Sequence, residues 1–242
     1  MDYLYDGSFN GLLSCLYEHF HRQKADNIFE ASHYQVSLIH QNKMISSDDN
    51  KSKKISTLIE RLISKRALEI IYYVSLSKFK DKGNLILNFV RFGFQEKKDV
   101  TIFYEHPDVY PVCKIHKQVT METHRFLGLL RFTDLDGVLY AKYKPDHNIT
   151  EVIVSHFCDR LRNERFVIFD EGRGIAALYC EGSTIITDLD HIDIKTDAME
   201  DSIRILWKSY FKHISIKERE NLTIQYQHVP VRYRSNAVEF RK

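Results

Sequence analysis

"RFTDLDGVLYAKYKPDH", residues 131–147, is the stretch whose reading decides the fold. Asp134, Asp136 and Gly137 match the opening of a haloacid-dehalogenase-type phosphatase. There the first Asp attacks, the second donates a proton, and both sit beside a Mg²⁺ ion. That chemistry needs a buried parallel strand ahead of the first Asp, and a downstream Lys and acidic pair for phosphate and metal. The preceding "THRFLGLL" reads instead as the end of a helix. The only further acidic cluster, Asp188, Asp190 and Asp193, lacks the apolar strand and the glycine that such a site or a calcium loop would use. Asp-Gly between two alternating segments is a hairpin signal. Asp136-Gly137 is therefore expected to be a tight turn and not half of an active site.

Outward from this turn the pattern stays mixed. "GVLYAKYKP" alternates as a strand, "HNITEVIVSHFCDRLRN" is an amphipathic helix, and "RFVIFD" and "IAALYC" are strands joined by "EGRG". Residues 131–182 thus predict antiparallel strands plus a helix. Upstream, residues 1–130 are expected to be mainly helical. "DYLYDGSFNGLLSCLYEHFHR" predicts a short strand, a turn at Asp6-Gly7 and a helix capped by Ser8. Helical periods follow through Ile55, Leu58, Ile59, Leu62 and Ile63, then Leu68, Ile71 and Val74, then "NLILNFVRFGF". A fourth helix covers "HPDVYPVCKIHKQVTMETHRFLGLL", with a break expected near Pro111. Residues 201–242 return to helix and end in a tail. The expected class is α+β: a helical N-terminal half packed with a small antiparallel β-sheet and helix, and a helical C-terminal tail. Because the fourth helix runs into the sheet without a linker, 1–242 is expected to form a single compact unit.

The composition is that of an ordinary soluble protein: 43% hydrophobic and 28% charged residues over 242 positions. A formal net charge of +2 permits a nucleic-acid partner without demanding one. No apolar run approaches a membrane span, and the early Asp2 does not suit a secretory signal. No membrane partner, a cytoplasmic location and a monomeric state are expected. Cys15, Cys113, Cys158 and Cys180 are scattered without a C-x-x-C, so they read as reduced thiols. Neither a metal nor a cofactor of the chain's own is expected.

Three constellations could carry chemistry. Glu122 falls within the stripe Val112, Ile115, Val119, Phe126 and Leu129, with His124 and Arg125 beside it. A carboxylate on an apolar stripe is costly unless paired or protonated. It reads either as a helix-end ion pair or as a functional acid. His156 and Arg160 are four residues apart on the edge of an amphipathic helix. They suit a phosphate clamp, or a structural histidine. In "KERENLTIQYQHVPVRYR", Glu218, Asn221 and Gln225 share one helical face, Arg219 and Tyr226 another, and Arg232, Tyr233 and Arg234 follow Pro230. Such a mixture suits phosphate, sugar and base contacts, a protein interface, or a solvated tail. Gly172-Arg173-Gly174 precedes a strand, so it is a hairpin turn with Arg173 free to project. It is not a phosphate loop.

Several separated motifs in the same order, "YLYDGSFNGLL", "ETHRFLGLLRF", "GVLYAKYKPDHNI", "SHFCDR", "FVIFDEGRGIAALY" and "ISIKERENLTIQYQHVPVRY", resemble a bacterial family of DNA metabolism or DNA repair proteins carrying a domain of unknown function. Its genes lie beside one for a radical-SAM DNA modification or repair protein, and similar domains are fused behind uracil-DNA-glycosylase-like domains. The resemblance implies work on DNA. It marks Glu122, His124, Arg125, Arg131 and Phe132, then His156, Arg160, Asp170 and Arg173, then Arg219, Asn221, Gln225, Pro230, Arg232 and Tyr233. Where relatives have Tyr-Trp after Pro-x-Arg, this chain has Tyr233-Arg234, so a base-stacking role of that Trp would be missing here. The expected function is a DNA-binding accessory partner of a radical-SAM protein, which would supply any iron–sulfur chemistry. Two alternatives stand beside it. One is an enzyme acting itself on damaged or modified DNA, with Glu122, His124, His156 and Asp170 as acid–base candidates. The other is a protein-interaction module without DNA contact.

Overall fold

The computed structural model describes residues 1–36, 41–189, 205–210, 213, 221–237 and 240. The fold is a mixture of helices and strands, and it divides into two compact units, Met1–Thr120 and Met121–Lys242, where the sequence suggested one. The division falls inside a helix and not in a linker, which is why no compositional break marks it.

In the first unit, β1 (Asp2–Tyr5) lies between β2 (Asn27–Glu30) and β3 (Asn42–Met44), and both pairings are parallel. Of this sheet only β1 was expected. β2 and β3 are four and three residues long, too short for alternation to register. Tyr3 and Tyr5 are wholly buried, and their register partners on the same face are Ile28 and Glu30. α1 (Phe9–His21) starts where Ser8 Oγ accepts the Gly11 amide at 2.9 Å, after Gly7 turns the chain at φ 86°. α2 (Asp49–Leu62) is capped by Asp48, and α3 (Lys65–Ser75) by Ser64. Small residues let α1 and α2 approach, with the Ser14 and Ser52 hydroxyls 3.4 Å apart. α4 (Lys82–Glu96) closes the β2 edge: the Ile28 amide donates to Asn84 Oδ1 at 2.7 Å. α5 (Tyr110–Leu129) passes Pro111 without a break, because a first-turn proline gives up an N–H that has no helical partner anyway.

The second unit holds a five-stranded sheet in the order β4-β5-β6-β7-β8: β4 (Thr133–Leu135), β5 (Val138–Tyr143), β6 (Arg165–Asp170), β7 (Ile175–Cys180) and β8 (Ser183–Asp188). β4 and β5 form the expected hairpin. Asp136 (φ 51°) and Gly137 (φ 85°) supply the two left-handed residues of its turn, and Asp134 Oδ1 accepts the Gly137 amide at 2.8 Å. Glu181 and Gly182 repeat that geometry between β7 and β8, a strand the sequence did not announce. The sheet is not purely antiparallel. α6 (Thr150–Arg160) carries the chain across from β5 to β6, and a crossover helix makes that pair parallel. α6 buries Ile153, Val154 and Phe157. α7 (Leu222–His228) and a 3₁₀ turn, Val231–Asn236, lie in the described part of the tail. Asp190, Asp193, Glu218 and Arg219 lie outside the described residues.

The α4–β2 contact yields a test with an unusual sign. A Cβ on Gly83 would stand 2.3 Å from the Ile28 carbonyl oxygen. Gly→Ala within a helix normally stabilises by about 1 kcal/mol. Here Gly83→Ala should instead destabilise by ~1–3 kcal/mol through overpacking against backbone. Urea denaturation followed by circular dichroism checks it, and a stabilised variant would refute the packing.

Candidate functional site

Five of the sequence-marked residues, Glu122, Asp170, Arg173, Arg232 and Tyr233, converge on one short loop, residues 144–148, between β5 and α6. Pro145 ends the strand there. Glu122, on α5, is 2% exposed. Its Oε1 accepts the Asp146 amide at 2.8 Å and its Oε2 accepts the His147 amide at 2.8 Å. The Tyr233 hydroxyl, from the tail, donates to the same Oε1. From the other side Arg173 takes the loop's carbonyls: Nη1 donates to Pro145 at 3.2 Å and Nη2 to Asp146 at 2.7 Å. Amides on one side and carbonyls on the other leave the loop backbone no freedom to turn.

Arg173 is itself held by Asp170, the fully buried last residue of β6. Asp170 Oδ2 accepts from Arg173 Nη1 at 2.8 Å, and Oδ1 accepts the Gly172 and Arg173 amides at 2.9 and 3.2 Å. Arg173 therefore does not project from its hairpin as expected. A buried carboxylate draws it inward. Tyr143, the register partner of Asp170, shares a 2.8 Å hydrogen bond with Thr150. The rings of Tyr143 and Tyr233 both lie against Phe126, at 5.0 and 4.7 Å between centroids. Burial holds both phenols well above their ordinary pKa. For Tyr233 the hydrogen bond to Glu122 and its negative charge add to the effect.

Two of the marked carboxylates thus have both oxygens occupied by protein donors. Glu122 and Asp170 build the loop and leave no lone pair turned to solvent for proton transfer. Tyr233, expected to meet nucleic acid, is 1% exposed and cannot stack on a base. Its ring instead supports Arg232, whose guanidinium stands 4.8 Å above the ring centroid and 3.1 Å from Asp146 Oδ2. The Arg232 side chain is 58% exposed, so a surface cation rests on a buried scaffold. It occupies a 3₁₀ turn, not an extended tail. Arg234 lies 4.3 Å over the ring of Tyr226, bonded to Val229 O and to Gln225 Oε1.

The other marked residues lie outside this network. Arg125 donates to Gln227 O at 3.2 Å, near the end of α7, and Asn221 caps the start of α7. Arg131 donates to the Gly128 and Leu130 carbonyls, closing the end of α5. His124, His156 and Arg160 are exposed, the last two one turn apart on α6. Sequence reasoning missed Asp146 and His147. Their signal was a polar pair directly after the proline that stops β5. Among the described residues no group of His, Cys, Asp and Glu is arranged to hold a metal ion, and no helix is long and apolar enough to cross a membrane.

The clamp makes two stability predictions. Glu122→Gln places an N–H₂ where an N–H must be accepted, and should cost ~1–3 kcal/mol. The raised phenols give the pH dependence. Unfolded tyrosine ionises at about pH 10 while Tyr143 and Tyr233 remain protonated in the fold. Their stabilisation is complete below that pH and is lost as pH rises through the folded values. Urea midpoints should be level up to about pH 9.5 and fall above about pH 10, and Tyr233→Phe should flatten the fall.

No curated protein matches the chain. A family described as a domain of unknown function, DUF4130, matches residues 80–239, which take in the whole of the clamped loop and its partners as well as α4 and α5. That match spans more than half of the sequence, and the chain belongs to the DUF4130 family.

Proposed function

We propose that the chain is a DNA-binding accessory protein of DNA metabolism or repair, working beside a radical-SAM enzyme that supplies the covalent chemistry. The observation that carries this reading is the placement of Arg232. An exposed guanidinium on a 3₁₀ turn is held over a tyrosine ring and against the carboxylate of Asp146, which sits on a loop whose backbone is fixed from both sides. Arg234 is likewise held over a ring, that of Tyr226, though it is half-buried and bonded to neutral oxygens rather than to a carboxylate. An arginine held in place this way loses less freedom when it meets a phosphate than one on a mobile tail. The motif resemblance to DNA metabolism proteins points the same way, and a net charge of +2 is compatible with it. The reading in which the chain itself performs acid–base chemistry on DNA has less support, since Glu122 and Asp170 spend their oxygens on the scaffold.

Fluorescence anisotropy with labelled oligonucleotides over a salt series tests the proposal. Binding should weaken as salt rises, in proportion to the phosphates neutralised. Arg232→Ala/Arg234→Ala should weaken it further and lower the salt slope by about one for each phosphate that is no longer neutralised. Salt-insensitive binding, or binding indifferent to both substitutions, would count against it.

A further inference from the structure

The first unit carries a second surface feature that the arginines of the tail do not explain. Between α4 and α5 the chain exposes three large apolar side chains within nine residues: Ile102 at 69%, Tyr104 at 48% and Tyr110 at 44%. Single exposed apolar residues are ordinary, but a cluster marks a contact surface. Residues 102–106 line an open hollow of about 540 Å³.

The segment is held by local hydrogen bonds and ring contacts. The Asp99 side chain accepts the Thr101 amide at 3.0 Å, and a run of backbone bonds follows: Phe103 to Val100 O, His106 to Phe103 O, and Val109 and Tyr110 to His106 O. Below it, His106 stacks on Phe92 at 3.8 Å, and Phe103 meets the same ring edge-on. The Tyr104 and Tyr110 rings stand edge to face, 87° apart with centroids at 5.6 Å. That geometry satisfies the ring quadrupoles and covers one face of one ring, leaving both residues close to half exposed.

Charge says what the rings are for. Lys114 Nζ lies 5.9 Å from the Tyr110 centroid, and Lys117 is exposed one turn further on. Tyr110, Lys114 and Lys117 fall at i, i+4 and i+7, a single face of α5. The acidic side chains nearby are Glu105, exposed at the hollow, Asp108, 3.8 Å from His106, and Asp99, whose side chain is engaged by the Thr101 amide. Glu105 keeps phosphate away from the hollow itself but can accept from a base amino group. An aromatic pad with lysines leading away from it suits bases that are free to stack and a backbone that follows the lysines. A duplex, whose bases are already stacked, offers the pad nothing.

We propose that Tyr104, Tyr110 and the Lys114/Lys117 face form a stacking platform for unpaired nucleotides of single-stranded DNA. This rests on the DNA-binding reading and adds its substrate class. The full chain is titrated by anisotropy into a labelled oligo(dT) and a labelled duplex of equal length. Tyr104→Ala/Tyr110→Ala should lose at least about tenfold in oligo(dT) affinity while duplex affinity stays put, since each stacked base contributes on that scale. Tyr104→Phe/Tyr110→Phe keeps the rings and should retain the affinity, which separates stacking from misfolding. Lys114→Ala/Lys117→Ala should flatten the salt dependence of oligo(dT) binding. Unchanged oligo(dT) affinity in the Ala variant would overturn the platform while leaving DNA binding intact. Failure of the unaltered chain to bind either probe would overturn both readings.

Discussion

A carboxylate withdrawn from water is tolerable only when donors replace its lost hydration. Glu122 meets that condition with two backbone amides and a phenol, and the second unit is organised around it. The amides belong to the loop after β5 and the phenol to the tail. One side chain therefore ties together a helix, the end of a strand and a segment 111 residues later in the chain. Arg173 could not hold the same loop from its other side without this constraint, because its targets are the carbonyls of the peptide groups that Glu122 orients. Asp170 completes the arrangement by fixing Arg173. The three groups form a chain of charge-assisted bonds in which each member's geometry depends on the next.

The depth of a carboxylate decides what its arginine can do. Asp170 has no exposure and pulls Arg173 into the structure, where every donor that it aims at the loop is used. Asp146 keeps 29% of its side chain exposed and meets Arg232 at the surface. Both are Asp–Arg pairs, but the first is a buried brace and the second leaves a cation facing solvent. Removing Arg173 from the brace would strand the buried charge of Asp170, whereas the surface pair is weak.

How much of this the sequence disclosed follows from how local each signal is. The Asp136-Gly137 hairpin was legible because turn chemistry depends on two adjacent residues. So was the Ser8 cap, and Glu122 could be recognised as an anomaly inside an apolar stripe. Its partners could not, since nothing in "KPDHN" reveals that two of its amides meet a helix that precedes it by more than twenty positions. The parallel β5–β6 pair escaped because α6 was recognised as a helix but not as a crossover. The first unit's sheet escaped because strands of three and four residues carry no period. Tyr233 was misplaced for a similar reason: a Tyr between two arginines reads as surface, and only the return of the tail onto Phe126 buries it.

The two groups of aromatics, one in each unit, differ in what covers their faces, and under the proposed function this would set what each contributes. In the tail, Tyr226 and Tyr233 each have one face beneath a guanidinium of the chain's own, at 4.3 and 4.8 Å. A ring so covered has committed that face and serves to orient the cation, so the tail's contribution is charge. Tyr104 and Tyr110 touch each other only edge to face, and their neighbouring cation is a flexible lysine at the outer limit of cation–π range. Arginine on a ring fixes a point of positive charge, whereas a bare ring beside lysine fixes a plane. Phosphate recognition needs the first and base stacking the second.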